Sequence, residues 1–234
     1  MRKPHFPQLL RLPVMGALVA ATATALASGP AAAGTGFGPH IGTPHSNSSN
    51  WGGYVVSGAK GKFKTITGSW KEPVAKCTKK GELAAPWIGL DGWGDQTVEQ
   101  TGVAAYCHGG AKPEYLAWYE MYPRNPVYYS NKVSAGDTFT ASVTFKGGTS
   151  YKLVLHDVTK HWTQTRTQKL SARNASAEAV IEGPGGYPQF PNGVTFKNIK
   201  VNGHLFSYYH PRKLTSSGFV PGPLHGGTFT IKHR

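Results

Sequence analysis

The chain has 234 residues, of which 25 are Lys or Arg and 11 are Asp or Glu, for a formal net charge of +14. This length suits one domain with a sizeable core. A basic exterior invites nucleic acid or acidic cell-surface polymers as partners. The basic residues are scattered, however, and match no nucleic-acid-binding motif, so we predict no nucleic-acid partner.

Residues 1–33 have the layout of a secretory signal peptide. Arg2, Lys3 and Arg11 form a basic start, and Leu12–Ala27 is apolar and uncharged. Two small-residue cleavage sites follow, Ala25-Leu26-Ala27 and Ala31-Ala32-Ala33. The uncharged run is short and rich in Ala and Thr, which favours export over a membrane anchor. We therefore predict a secreted protein with no membrane attachment after cleavage.

Residues 34–46 are rich in Gly, Pro, Ser and Thr and are predicted to form a flexible leader. Residues 47–234 contain no second linker and no internal repeat, so we predict a single domain there. We expect this domain to be a monomer, the default for a small secreted hydrolase.

The domain is predicted to be nearly all strand. Short runs rich in Val, Ile, Thr, Tyr, Phe and Trp alternate with turn signals every eight to twelve residues. Such a pattern indicates an antiparallel sandwich or barrel. The predicted strands are Trp51–Ser57, Phe63–Trp70, Trp87–Leu90, Thr97–Cys107, Tyr115–Tyr122, Thr138–Phe145, Tyr151–Val158, Trp162–Leu170, Ala175–Glu182, Val194–Val201 and Thr228–Lys232. Gly147-Gly148 and Asn202-Gly203 are predicted hairpin turns.

The chain has two cysteines, Cys77 and Cys107. In an exported protein an even pair is usually a disulfide. A bridge here closes a loop of about 30 residues and stabilises the fold by roughly 3–4 kcal/mol in the chain-entropy model. We predict that the two cysteines are bonded.

Several hydrolase motifs are absent from the sequence. There is no Gly-x-Ser-x-Gly elbow of serine hydrolases, no His-Glu-x-x-His of zinc peptidases and no Asp-Thr-Gly of the pepsin type. The ten histidines are spread singly, and no pair has the spacing of metal ligands. We therefore predict no metal site and no cofactor.

One pair of polar strand residues stands out as candidate chemistry. Gln100 lies in the predicted strand Thr97–Cys107, and Glu178 lies in Ala175–Glu182. A carboxylate can activate a water, and a side-chain amide can hold a developing oxyanion. Alternation gives both residues a mixed polar face, typical of a cleft wall but also of ordinary solvent-facing strands. Nearby aromatic residues, Trp87, Trp118 and Tyr122 among them, are candidates either for the core or for the lining of a cleft.

Six segments in order give the chain a family resemblance. They are Ser49-Asn50-Trp51-Gly52-Gly53-Tyr54, Trp87-Ile88-Gly89-Leu90-Asp91-Gly92, Gln100-Thr101-Gly102-Val103, Ala117-Trp118-Tyr119-Glu120-Met121-Tyr122-Pro123, Ser134-Ala135-Gly136-Asp137 and Ala177-Glu178-Ala179-Val180-Ile181-Glu182. With these segments the chain resembles the eqolisin family of glutamic peptidases (peptidase family G1, the scytalidoglutamic peptidase type). The basic composition, and Ala179 after the predicted catalytic Glu, indicate a bacterial-type member.

The resemblance implies an all-β fold, a sandwich of two curved antiparallel sheets with a concave substrate cleft. It implies that Gln100 and Glu178 are the catalytic dyad. Further cleft residues are expected to be Trp87, Asp91, Trp118, Glu120 and Tyr122.

The implied reaction is direct water attack on a peptide bond of a polypeptide substrate. Glu178 acts as general base and then as general acid, and Gln100 stabilises the oxyanion. An acidic working pH, independence of metal and insensitivity to pepstatin are expected. Two alternatives stay open: a glycoside hydrolase that uses Glu120 and Glu178, and a non-catalytic, lectin-like binding module.

Overall fold

The computed structural model describes residues 50–184 and 186–234. The predicted signal peptide at 1–33 and leader at 34–46 lie outside these residues. The strands, in chain order, are β1 (Trp51–Ser57), β2 (Thr65–Lys71), β3 (Leu83–Asp91), β4 (Val98–Tyr106), β5 (Glu114–Tyr122), β6 (Val127–Tyr128), β7 (Thr138–Gly147), β8 (Ser150–Asp157), β9 (Trp162–Lys169), β10 (Ser176–Glu182), β11 (Val194–Val201), β12 (His204–Leu205), β13 (Arg212–Leu214), β14 (Phe219–Pro221) and β15 (Phe229–His233). One short 3₁₀ helix, Phe206–Tyr209, follows β12.

The strands form two sheets, which confirms the predicted all-β class. The first sheet has the order β13-β1-β10-β3-β4-β5-β6, and the second has the order β14-β15-β11-β2-β7-β8-β9. Each pairing between neighbouring strands is antiparallel. Within the described residues, no helix is long and apolar enough to cross a membrane.

The main core lies between the two sheets. Strand alternation turns Ile88 and Val103 of the first sheet toward Phe139, Leu153 and Phe196 of the second, and all five are fully buried. One predicted turn is confirmed, since Asn202-Gly203 links β11 to β12 with positive φ at both residues. The other is shifted by one residue, because Gly147 is the last residue of β7 and Gly148-Thr149 links β7 to β8.

A second apolar cluster covers the other side of the first sheet, away from the second sheet. It is formed chiefly by the buried residues Trp51, Trp87, Trp118, Val98 and Val180. The middle strands of this sheet are therefore buried on both faces; all nine residues of β3 are buried. The outer face of the first sheet is thus packed and buried, and it is not a solvated surface.

The predicted disulfide is confirmed. Cys77 and Cys107 are bonded, with a Cα–Cα distance of 5.7 Å. The bridge ties the segment that follows β2 to the end of β4, the strand that carries Gln100.

Candidate active site

The outer face of the first sheet, hereafter the acidic face, collects most of the predicted site residues. Gln100 and Glu178 stand in one cross-strand row with Gly89 between them and Glu120 beyond Gln100. Glu182 lies four residues further along β10, so strand alternation puts it on the same face. The structure therefore brings Gln100, Glu120, Glu178 and Glu182 to one side of one sheet.

Gln100 is fixed by a direct contact with Glu120. Its Nε2 donates a hydrogen bond of 2.6 Å to Glu120 Oε2, and both side chains are buried. Gln100 Oε1 has no hydrogen-bond partner among the described residues. A Cβ at Gly89 would come within 3.1 Å of Gln100 Cβ and 2.9 Å of the Trp87 ring. Glycine at position 89 therefore leaves the space in which the Gln100 side chain lies.

Glu182 is the second β10 carboxylate on this face. Its oxygens accept hydrogen bonds from Trp87 Nε1 at 3.3 Å and from Asn50 Nδ2 at 3.1 Å. Burial and, to a smaller degree, the charge of Glu182 raise the pKa of Glu120, the bond from Gln100 lowers it, and together they bring it to about 9. Glu120 is therefore neutral in acidic solution, and Glu182 lies within electrostatic reach of it.

Glu178 and Glu182 differ in their place along β10. Glu178 is level with Gln100 and Glu120, whereas Glu182 lies four residues further along the strand. Glu178 is therefore the β10 carboxyl group nearest to Gln100 in the register of the sheet.

Glu178 has a different set of neighbours. One strand separates it from Gln100, which puts their Cα atoms about 10 Å apart at ordinary strand spacing. Burial raises its pKa well above the usual range, the Ser176 hydroxyl partly offsets this, and the charges of Asp91, Asp95 and Glu99 raise it again. Neither carboxylate oxygen of Glu178 has a hydrogen-bond partner within 3.5 Å among the described residues. The charged groups that influence the pKa of Glu178 therefore lie at the Asp91 end of the sheet.

Asp91 holds the start of β10 in place. Its two carboxylate oxygens accept the backbone N–H groups of Asn174 and Ala175 at 2.7 and 2.6 Å. It ends β3 with a positive φ of 62°, followed by Gly92 at 99°. Burial raises its pKa to about 6, although the bond from Ala175 lowers it. Asp91 thus connects two strands that are 83 or more residues apart in the chain.

The predicted aromatic residues are divided between the two ends of the acidic face. Trp87 and Trp118 flank Gly102 in the row next to Gln100, and Trp87 reaches Glu182. Trp118 Nε1 is buried and has no acceptor among the described residues. Tyr122 stands at the end of β5, in the row of Val98 and Asp91.

Sequence reasoning missed two participants at the Gln100 end, Asn50 and Glu182. Both lie in the quoted segments, but alternation gives Glu178 and Glu182 the same face and does not choose between them. Among residues 50–184 and 186–234, no group of three or more His, Cys, Asp or Glu side chains is arranged to hold a metal ion.

Comparison with known proteins gives the family and the fold. The model of the Peptidase A4 family matches residues 49–205. Aspergillopepsin-2 of Aspergillus niger is 27% identical over 146 residues, covering 53% of this chain and 51% of that protein. The chain therefore spans about half the length of this curated relative.

Solved peptidase structures share the architecture. Scytalido-glutamic peptidase with a transition state analog inhibitor has a TM-score of 0.70 at 23% identity, over 80% of this chain and 99% of that one. SCP-B, a member of the eqolisin family of peptidases in a complex with the tripeptide Ala-Ile-His, has a TM-score of 0.66 at 22% identity, with the same coverage. At these identities the likeness shows the fold, and the family follows from the matched model. Because that model covers more than half of the sequence, the chain belongs to the Peptidase A4 family.

Proposed function

We propose that this protein is a glutamic endopeptidase that cleaves polypeptides in acidic solution. The observation that carries the proposal is the hydrogen bond of Gln100 to Glu120 in a cross-strand row that also holds the buried Glu178. Family membership supports peptide-bond hydrolysis as the reaction. The chemistry needs one proton-transferring carboxyl group and one oxyanion donor, and this end of the acidic face offers both.

In the proposed reaction a carboxylate of β10 takes a proton from a water, which attacks the scissile carbonyl carbon. One amide hydrogen of Gln100 is held by Glu120, so the other is oriented for the oxyanion of the tetrahedral intermediate. The protonated carboxyl group then transfers its proton to the leaving amine. Glu120 stays neutral through this cycle because its pKa is raised to about 9. The active-site side chains are at most 1% exposed, so hydrolysis also requires this face to open to substrate.

We propose Glu178 as the general base, with Glu182 as the alternative. Glu178 is level with Gln100 in the register, whereas Glu182 lies four residues further along β10. The raised pKa of Glu178 suits a group that first takes and then returns a proton. Glu182 has donors that orient it, Trp87 and Asn50. One pair of variants separates the two.

The deciding experiment is casein digestion from pH 2 to 7, with and without pepstatin and a chelator, by the parent, Glu182→Gln and Glu178→Gln proteins. We expect acidic activity that resists both inhibitors, a loss of more than about 10³-fold in kcat for Glu178→Gln, and a much smaller loss for Glu182→Gln. The reverse order of losses would assign the base to Glu182. No activity in the folded parent protein at any pH would reject the peptidase proposal.

The glycoside hydrolase alternative needs Glu120 and Glu178 to act as a carboxyl pair. They stand in one row, three strand spacings apart, with Gln100 between them. A lectin-like module predicts ligand binding without turnover, which the casein assay also tests. Polysaccharide cleavage that depends on Glu120 and survives Gln100→Ala would favour the glycosidase.

We further propose that the protein is secreted and acts as a monomer. The signal-peptide pattern of residues 1–33 supports export. Sizing chromatography of the protein recovered from culture medium, with N-terminal sequencing of that form, tests both statements.

A further inference from the structure

The acidic and basic residues of this protein differ in burial, because most acidic side chains are buried and the basic ones are not. All eleven Asp and Glu residues lie in the described part of the chain, and nine of them are buried. Of the other two, Asp95 is half-buried, and Glu114 is exposed and pairs with His108. No Lys or Arg within residues 50–184 and 186–234 is buried. The surface is therefore almost purely cationic, more so than the net charge alone indicates.

The cations are organised on the outer face of the second sheet, opposite to the acidic face. Six lysines on strands β2, β8, β9, β11 and β15 point away from the core there, and we call this side the lysine face. They are Lys71, Lys152, Lys169, Lys197, Lys200 and Lys232, all exposed. No Asp or Glu occupies an outward position on these strands.

Hydroxyl groups fill the rows between the lysines. Thr140 and Ser69 separate His156 from Lys197 in one row, and Thr144 separates Thr65 from Lys152 in another. Their side chains bond to one another, as in the Oγ1–Oγ1 contacts of Thr65 with Thr144 at 3.2 Å and of Thr195 with Thr230 at 2.8 Å. The face is thus a regular array of hydroxyl groups and ammonium groups.

A groove on this face concentrates the positive charge. Lys71 and Lys197 line it together with Ser69, Thr138 and Thr195, and its volume is about 470 Å³. Glu72 also lines it but is buried, and burial raises its pKa well above the usual range.

We propose that the lysine face binds an anionic polysaccharide, whose carboxylate or sulfate groups pair with the lysines while sugar hydroxyls bond to the threonine array. Charge complementarity carries the choice of an anionic partner. No Phe, Tyr or Trp points outward from the strands of this face to stack on a base, which disfavours a nucleic acid. Among the exposed large apolar residues of the described chain, only Val74 lines the groove, which disfavours membrane insertion.

The test is equilibrium binding of the purified protein to heparin, to polygalacturonate and to neutral dextran as a function of NaCl concentration. The face variant carries Lys71→Thr, Lys152→Thr, Lys197→Thr and Lys200→Thr. The control variant removes four exposed lysines elsewhere, by Lys76→Thr, Lys80→Thr, Lys112→Thr and Lys213→Thr. Two double variants, Lys71→Thr with Lys197→Thr and Lys152→Thr with Lys200→Thr, preserve the test if the fourfold variant fails to fold.

We expect salt-sensitive binding to at least one of the two polyanions and none to dextran. The face variant should bind about tenfold or more weakly, with a reduced slope of log Kd against log [NaCl], and the control variant should stay within about twofold of the parent. Three outcomes overturn the proposal: no binding to either polyanion, equal weakening in both variants, or equal lysine-dependent binding to duplex DNA or anionic vesicles. None of these measurements depends on peptidase activity.

Discussion

The acidic face and the lysine face are built from the same antiparallel, period-two strands but have opposite chemistry. Strand β3, Leu-Ala-Ala-Pro-Trp-Ile-Gly-Leu-Asp, is buried along its whole length. Strand β9, Trp-Thr-Gln-Thr-Arg-Thr-Gln-Lys, alternates between half-buried and exposed residues. The outer positions of the first sheet hold tryptophans and carboxyl groups, and those of the second hold threonines and lysines. An outward face that is both apolar and acidic is typical of a ligand-binding surface.

The two faces also respond differently to pH. Lysines remain charged throughout the acidic and neutral range. Burial instead raises the pKa of Asp91 to about 6 and of Glu120 to about 9, so much of the acidic face is neutral below pH 5. Acidic solution therefore removes charge from the buried carboxyl groups.

The largest expected effect comes from replacing Gln100 on the acidic face. Gln100→Ala removes the proposed oxyanion donor, and we expect kcat for a peptide substrate to fall about 10²–10³-fold with little change in KM. Thr101→Ser is the matched control, since Thr101 points to the core side and its hydroxyl bond to the Trp118 carbonyl is retained in serine. A Gln100→Ala protein whose kcat stays within tenfold of the parent contradicts the assignment.

A smaller effect is expected at Asp91, where the carboxylate supports the strand carrying both candidate bases. Asp91→Ala removes two hydrogen bonds to backbone N–H groups and puts alanine at a positive φ, so the free energy of unfolding should fall by about 3 kcal/mol. Asp91→Asn keeps one acceptor oxygen and tolerates positive φ, so it should lose about half as much. Urea unfolding at pH 4 measures both, and equal losses would contradict this role.

Glu99 tests the pH response of the buried carboxyl groups. Burial and the charge of Asp91 raise its pKa well above the usual range. The native state therefore binds more protons than the unfolded state above about pH 4.3, and stability falls as pH rises through this window. Gln cannot ionise, so Glu99→Gln should match the parent at pH 4 and exceed it at pH 8 by on the order of 1–3 kcal/mol, the typical cost of an unsatisfied buried group.

Lys112→Gln, at an exposed side chain, is the control for this pH profile and should leave it unchanged. Chemical unfolding of the three proteins from pH 4 to 8 makes the measurement. Parallel profiles for the parent and Glu99→Gln proteins would show that Glu99 does not contribute to the loss of stability.

Much of this fold was predictable because its signals are local. Alternation and turn residues located the longer strands, and an even cysteine number in an exported chain predicted the Cys77–Cys107 bridge. The predicted strand Trp87–Leu90 was too short, since β3 begins at Leu83 and its Ala-Ala-Pro start has weak strand propensity. Strands of two or three residues, such as β6 and β13, are too short for any periodicity to reveal.

The site was predictable only in part because it depends on long-range geometry. Alternation placed Gln100 and Glu178 on one face, but only the register of the strands shows that they share one row with Glu120. The pairing of Asp91 with Asn174 and Ala175 joins residues that no local pattern connects. The burial of nine carboxyl groups could not be predicted from the composition either, because composition gives only the number of charged residues.

The smallest expected effect lies on the lysine face. Combined Lys71→Thr, Lys152→Thr, Lys197→Thr and Lys200→Thr substitution relieves repulsion among exposed cations that face no carboxylate, so the free energy of unfolding should rise by about 0.5 kcal/mol at low salt. The gain should vanish in 0.5 M NaCl, where screening acts over roughly 4–5 Å. Peptidase kcat should not change, because the two faces lie on opposite sides of the sandwich. A fall in kcat would show that the lysine face contributes to catalysis on the acidic face. The two faces would then differ in composition but would not have separate functions.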